Sequence, residues 1–239
     1  MNNPPNSVEH LDFVAGIPTL NLAHFTHGTS KQRQAFVNDL GAAYREIGFA
    51  AISGHGVAPE LIESMYREAE GFFALPAEVK MKHEHPEHNR QRGFVCFGTE
   101  HAKDSEAADL KEFWQVGQMR LPENANLEEY PPNAMVEECP QLSAKSDELY
   151  QSLEDVGRNM LKAIALHLEL DEDYFESYVP GGNSILRLIH YPPITSEPKS
   201  SVRAGQHEDI NLITKSVIKL MSSCCPARTL DLGSDVIGG

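Results

Sequence analysis

Positive charge, cysteine and long apolar runs are all scarce in this chain, and each shortage removes a class of function. Lysine and arginine together number 20 against 35 aspartates and glutamates, a formal net charge of −15. Such a field repels phosphate backbones and anionic lipid surfaces, so neither nucleic acid nor a membrane is expected as a partner. The four cysteines, Cys96, Cys139, Cys224 and Cys225, contain no C-x-x-C pair. They are too few and too scattered for a disulfide framework, and a vicinal pair alone makes no zinc knuckle, so reduced thiols are the expectation. No stretch approaches the roughly 18 consecutive apolar residues of a membrane span. The opening Met1-Asn2-Asn3-Pro4-Pro5 lacks the basic and then apolar order of a secretory signal, which points to a cytoplasmic location. Internal repeats and low-complexity tracts are also lacking. What remains, 41% hydrophobic and 23% charged residues in a chain of 239, excludes collagen-like, coiled-coil and wholly disordered architectures. The length suits one large domain, or a small one joined to a larger one.

Periodicity supplies the elements. Residues 1–16 are polar and proline-bearing without a period, the pattern of a flexible arm. Ile17 to Leu22 is the first ordered piece. From Ser30, Phe36, Leu40, Ala43, Tyr44 and Ile47 fall on one helical stripe, and Gly48 stands where a C-terminal glycine cap belongs. Phe49 to Ser53 reads as a short buried strand. A second helix enters through Pro59 and carries Leu61, Ile62, Met65, Ala69 and Phe72. The stretch from Glu78 to Arg92, dense in charge and histidine, is expected as a solvated loop or a frayed helix end. Prolines and carboxylates over 120–141 suit a surface connection. A long helix with Leu149, Leu153, Val156, Met160, Ile164 and Leu168 on one face follows. Ser184 to Tyr191 is β-like and ends at Pro192-Pro193, and His207 to Thr214 gives a further strand signal.

Chemistry enters at that last signal. Side chains two apart in a strand share a face, so His207 and Asp209 would present an imidazole and a carboxylate side by side. That is two-thirds of the 2-His-1-carboxylate facial triad of non-haem Fe(II) oxygenases, whose three open positions admit co-substrate and dioxygen. Spacing alone is weak evidence, because a chain with 11 histidines and 11 aspartates meets H-x-D about half a time by chance. A second copy, His10-Leu11-Asp12, lies in the N-terminal arm, and a strand-end histidine beside a solvated aspartate is the alternative for His207 and Asp209. His83, His85 and His88 with Glu84 and Glu87 form a short tract able to bind metal, although an aperiodic polar segment is expected to be a solvated loop.

A longer, ordered series of matches gives the pair its context. Ile17-Pro18 precedes Leu20 and Leu22; Gly48-Phe49 precedes His55-Gly56-Val57; Phe72-Phe73-Ala74-Leu75-Pro76 precedes Lys80. Arg92-Gly93-Phe94, Asp109-Leu110-Lys111-Glu112, Leu186-Arg187-Leu188, His190-Tyr191-Pro192-Pro193, His207-Glu208-Asp209 and Leu212-Ile213-Thr214 follow in order. In this series the chain resembles the isopenicillin N synthase-like group of Fe(II)- and 2-oxoglutarate-dependent oxygenases. The resemblance implies an α+β fold, a helical and mixed N-terminal domain packed on a double-stranded β-helix, or jelly roll, that is C-terminally incomplete here. It divides the chain into the arm 1–16, an N-terminal non-haem dioxygenase domain 17–120, a connection and long helix 121–182, the first part of the β-helix 183–214 and an unmatched tail 215–239. It makes His207 and Asp209 the first two ligands of Fe(II), with 2-oxoglutarate as co-substrate and dioxygen and a small molecule as reactants. Tyr191 would line the co-substrate or substrate pocket; its alternative is a strand-end aromatic that packs. Arg187 alternates with Tyr191 on one face and either enters the same cavity or serves as a salt-bridged structural arginine. His55 becomes a turn feature, with no serine or cysteine partner for nucleophilic chemistry. Hydroxylation, desaturation, cyclisation or ethylene-forming chemistry all occur in the group.

Beyond Thr214 the match stops. Relatives continue with a distal iron-binding histidine and an R-x-S pair that clamps 2-oxoglutarate, whereas His207 is the last histidine of this chain and Arg228 is followed by Thr229 and Leu230. A frameshift or premature stop is the expectation for residues 215–239. Asp231 or Asp235 would complete the triad only if that tail folded back over the site. Open sheet edges would then favour self-association. A non-catalytic remnant or interaction protein lacking the third iron ligand is the alternative to an oxygenase.

Overall fold

The computed structural model describes residues 11–14, 16–100, 109–119, 121, 127, 130–180, 182–194, 211–218 and 229–234. Its first elements are strands β1 (Asp12–Val14) and β2 (Ile17–Asn21), then helices α1 (Leu22–Thr26) and α2 (Ser30–Glu46), strand β3 (Ala51–Ser53) and helix α3 (Pro59–Phe73). Local chemistry sets these boundaries. Asn21 accepts from the Ala23 N–H and so starts α1. Thr29 and Gln32 form a reciprocal capping box at the start of α2. At the other end of α2, Gly48 takes φ +81°, a left-handed conformation that glycine adopts without strain, and its N–H returns to Ala43 and Tyr44. Pro59 opens α3, where its missing N–H costs nothing. Strand β1 lies within the stretch expected as a flexible arm and pairs antiparallel with β2, while β2 pairs parallel with β3 across the α1–α2 connection.

The chain continues through α4 (Ala77–Lys80), two short 3-10 turns (Met81–His83 and Pro86–His88), strands β4 (Gly93–Val95) and β5 (Glu112–Gly117), helix α5 (Pro140–His167) and strand β6 (Ile185–Tyr191). Strands β7 (Ser216–Ile218) and β8 (Thr229–Ser234) complete a second sheet of order β4-β5-β6-β8-β7, antiparallel throughout. Two expectations change here. Asn211 to Thr214 is not a strand; extended structure starts at Ser216. Part of the segment expected as an unmatched tail also joins the sheet, with Asp231 of β8 in register with Ile189 of β6.

The core lies between α2, α3 and α5 and one face of the second sheet. Leu40, Met65, Phe72, Leu149 and Met160 meet Phe94, Trp114, Val116, Leu186 and Leu188 in one apolar cluster. Register explains which strand residues take part: Trp114 is paired with Phe94 and Leu188, and Val116 with Leu186, so the alternation of β5 and β6 sends these side chains to the helices. The resulting architecture is mixed α and β. Among the described residues no helix is long and apolar enough to cross a membrane.

Candidate active site

Strand β6 has two faces with different duties. Leu186, Leu188 and His190 point with Trp114 and Glu112 toward the helices, whereas Arg187, Ile189 and Tyr191 share the opposite face with Phe113 and Gln115. A carboxylate on the helix-facing side of β5 requires compensation. Glu112 receives it from Lys80, whose Nζ lies 2.8 Å from both carboxylate oxygens and donates also to the Phe73 carbonyl at 3.2 Å. His190 Nδ1 lies 2.8 Å from Glu112 Oε1, so the nitrogen facing this acceptor carries the hydrogen. The His190 ring stacks on Phe73 with centroids 5.0 Å apart. Burial alone would raise the Glu112 carboxyl, but the hydrogen bonds from His190 and Lys80 outweigh it and hold the group below the usual carboxylate range. This trio fastens α4 and β5 to the end of β6, immediately before Tyr191.

Across the sheet, Arg187 Nη1 pairs with both oxygens of Glu100 at 3.1 and 3.2 Å, its Nε donates to Gln115 Oε1 at 3.2 Å, and its guanidinium lies 4.3 Å from the Phe113 ring centre. Lys111 Nζ joins the same Glu100 at 2.6 Å and Asp109 at 3.0 Å. Burial would raise the Glu100 carboxyl; Arg187 and Lys111 hold it below its ordinary value. Arg187 is thus ion-paired with Glu100 on the face of the sheet that it shares with Tyr191. Tyr191 is half-buried on the same face at the C-terminal end of β6, where Pro192, lacking an N–H, ends the pairing. His207 and Asp209 lie outside the described residues. The structure therefore brings Arg187 and Tyr191 to one face and leaves their relation to the H-x-D pair undescribed.

The histidine-rich segment divides in a way its composition does not show. His83 turns inward, with Nε2 3.2 Å from Glu138 and its ring edge-on to Phe72 and Trp114. His85 and His88 face outward around Glu87. The expected solvated loop is only partly solvated: Lys80 and Arg92 are buried, Arg92 donating to the Pro131 and Gln91 carbonyls and to Asn183. His55 Nδ1 accepts from the Val57 N–H, which makes it a turn residue, and burial lowers its pKa. Lys80, Glu112 and His190 stand among the matched motifs but gained no role there, and Glu100 lies outside every motif; the fold joins the first three in one trio and sets Glu100 against Arg187. The signal for the trio was the carboxylate of Glu112 alternating with Trp114 and Val116 on an apolar face.

Comparisons with known proteins converge. The family model described as "non-haem dioxygenase in morphine synthesis N-terminal" matches residues 17–138. The chain is 30% identical over 207 residues to a proline hydroxylase of Petromyces alliaceus and 31% identical over 210 residues to a 2-oxoglutarate-dependent dioxygenase of Aspergillus rugulosus; each alignment covers 83% of this chain and 63% of the relative. The chain thus spans less than two-thirds of the length of these curated relatives. A 2OG-Fe(II) oxygenase family protein from Caulobacter crescentus superposes with a TM-score of 0.72 at 35% identity, over 85% of this chain and 64% of that one. A full-length Neurospora crassa protein, solved in complex with alpha-KG, shares the fold with a TM-score of 0.72 at 24% identity, over 92% and 71% of the two chains.

Proposed function

From the premise that this chain belongs to the non-haem Fe(II)- and 2-oxoglutarate-dependent dioxygenase family, we propose that it serves oxidation of a small molecule coupled to decarboxylation of 2-oxoglutarate. The observation that carries the reading is the ordered series of family-like motifs that continues beyond the matched residues 17–138, through β6 and the Tyr191-Pro192-Pro193 that closes it, to His207-Glu208-Asp209. The sheet led by β4, β5 and β6 is the first part of the double-stranded β-helix. An imidazole nitrogen from His207 and a carboxylate oxygen from Asp209 are the donor types that a facial Fe(II) site takes, and they fill two of its three protein positions. Bound there, iron with 2-oxoglutarate supplies the oxidising chemistry, and the protein contributes binding and orientation.

The remaining roles belong to this chain's own side chains. Tyr191 presents a phenol, able to donate or accept a hydrogen bond, to the face where co-substrate or substrate lies. Phe113 and the aliphatic stem of Arg187 form an adjoining wall. Because Glu100 engages the guanidinium, Arg187 shapes that wall instead of offering a free charge to an anionic substrate. The Lys80–Glu112–His190 trio fixes the strand from behind, so that Tyr191 keeps its place when ligands bind. One relative is named a proline hydroxylase, and the Neurospora crassa protein of the same fold has been solved with both alpha-KG and thymine. Such different reactants go with one co-substrate, which the names of the relatives print as 2-oxoglutarate or alpha-KG.

Anaerobic titration of the full chain with Fe(II) and 2-oxoglutarate tests the proposal. A metal-to-ligand charge-transfer band that appears in the wild type and disappears in His207→Ala is expected. Folded protein that shows no band would refute the oxygenase reading.

A further inference from the structure

We propose that the turn from His85 to His88 is a binding site for one divalent transition-metal ion of the zinc class, separate from His207 and Asp209. Among the described residues, His85, Glu87 and His88 form a group whose candidate ligand atoms all lie within 4.8 Å of one another. His85 Nδ1 is 2.9 Å, and His88 Nε2 4.0 Å, from the same carboxylate oxygen of Glu87. Ligands about 2.0–2.1 Å from a tetrahedral zinc ion stand roughly 3.3 Å apart, so the two separations bracket what coordination requires. Two imidazoles and one carboxylate form the donor set of open zinc sites, in which water or an external ligand takes the fourth position. With side-chain exposures of 31%, 59% and 33%, the three residues leave that position accessible.

The backbone holds this arrangement without a metal. His85 accepts at its carbonyl from both the His88 and Arg90 N–H groups, and Pro86 accepts from Asn89. Asn89 and Arg90 then reverse the chain at φ 51° and 56°, a conformation that non-glycine residues enter only when surrounding contacts impose it. One such contact is the Gln115 side chain, which donates to the Arg90 carbonyl at 2.5 Å; another is Glu84, which accepts from Arg90 Nε at 3.3 Å. Gly93 at the head of β4 supplies the last. A Cβ there would sit 2.4 Å from the His83 carbonyl oxygen and 2.9 Å from the His85 ring, so only glycine lets the ring rest against the strand. His83, committed to Glu138 and the aromatic core, stays outside the site. Metal entry requires His85 Nδ1 without its hydrogen, so a neutral ring carries it on Nε2 instead and a protonated ring releases one proton to solvent, and three coordinate bonds then replace one hydrogen bond.

The test uses the full chain, stripped of metal and titrated with zinc by calorimetry and with Co(II) by visible absorption. It is run both in the wild type and in a His207→Ala/Asp209→Ala background, which separates this site from the proposed iron site. One equivalent should bind in that background. His85→Ala and His88→Ala should each weaken it by at least about tenfold, a lower bound taken from the loss that even outer-shell changes cause, and the tetrahedral Co(II) bands should vanish. Binding lost in the His207→Ala/Asp209→Ala background, or stoichiometric binding unchanged in a His85→Ala/His88→Ala variant, would overturn the assignment. So would zinc binding no tighter than about millimolar, the weak-affinity end of the scale.

Discussion

Truncating Glu112 should uncouple the N-terminal helices from the strand that carries Tyr191. The side chains of Lys80 and Glu112 are only 9% and 8% exposed, and the carboxylate holds two cationic or hydrogen-bearing partners at 2.8 Å. Glu112→Leu leaves the Lys80 ammonium without a carboxylate, with the Phe73 carbonyl and the faces of Phe73 and Phe94 as its neighbours, and strands the His190 Nδ1–H. Breaking a buried pair in this way costs about 3–5 kcal/mol, because one charge stays buried without its partner. For a chain of this length that lowers the melting midpoint by on the order of 10 °C. Lys80→Met should cost a similar amount, yet Lys80→Met/Glu112→Leu should recover most of the loss, since an apolar pair replaces an ionic one without an orphaned charge. Urea unfolding followed by emission of Trp114, the single tryptophan, measures all four proteins. The pH dependence adds a second check. The folded state holds the Glu112 carboxyl below its ordinary value, so its stabilisation is full above the ordinary carboxylate range and is lost as pH falls through the lowered one. The double variant should lack that acid limb. Additivity of the single losses within about 0.5 kcal/mol would refute the coupling.

Three further outcomes follow from the same geometry. Arg187→Met should destabilise by about 1–2 kcal/mol through loss of the Glu100 pair and the Phe113 contact, and Glu100→Gln on top of it should cost more, because it also takes a partner from buried Lys111; double-mutant denaturation curves check this. Gly48→Ala should cost about 1–2 kcal/mol in thermal or urea unfolding even though open space surrounds the position, because the penalty lies in the positive φ. His55 should titrate below an ordinary histidine in a ring-proton NMR titration, and stability should fall as pH drops from the ordinary histidine value to the lowered one. An unchanged midpoint would show that burial does not hold the ring neutral.

Strong periodicity made the helices legible. The stripe from Phe36 to Ile47 and the cap at Gly48 placed α2 within a residue, and Pro59 placed the start of α3. The Pro192-Pro193 end of β6 was equally readable. Of the short strands, β3 was legible within Phe49 to Ser53, but Gly93–Val95 and Glu112–Gly117 were not, because they are buried on both faces and so show no clean alternation. The stretch around His83 looked uniformly polar because composition does not reveal direction, and only the fold shows that His83 and Arg92 turn inward. Likewise Lys80, Glu112 and His190 lie on three separate elements, so no local spacing links them. The extended reading of Asn211 to Thr214 failed where its polar residues bond locally, Asn211 to Thr214 at 3.3 Å. The pairing of Arg187 was not legible because its partner Glu100 lies far away in sequence, outside any motif.

The two-sided strand β6 carries an evolutionary implication. Its residues 186, 188 and 190 face the helices and answer to stability, as does Arg187 through Glu100, so on the face proposed to line the pocket it is positions 189 and 191 that can diversify at least cost to the scaffold. A lineage can in this way sample new reactants by altering alternate codons, and a library randomised at those two positions would explore specificity while the hidden side of the strand keeps the protein folded.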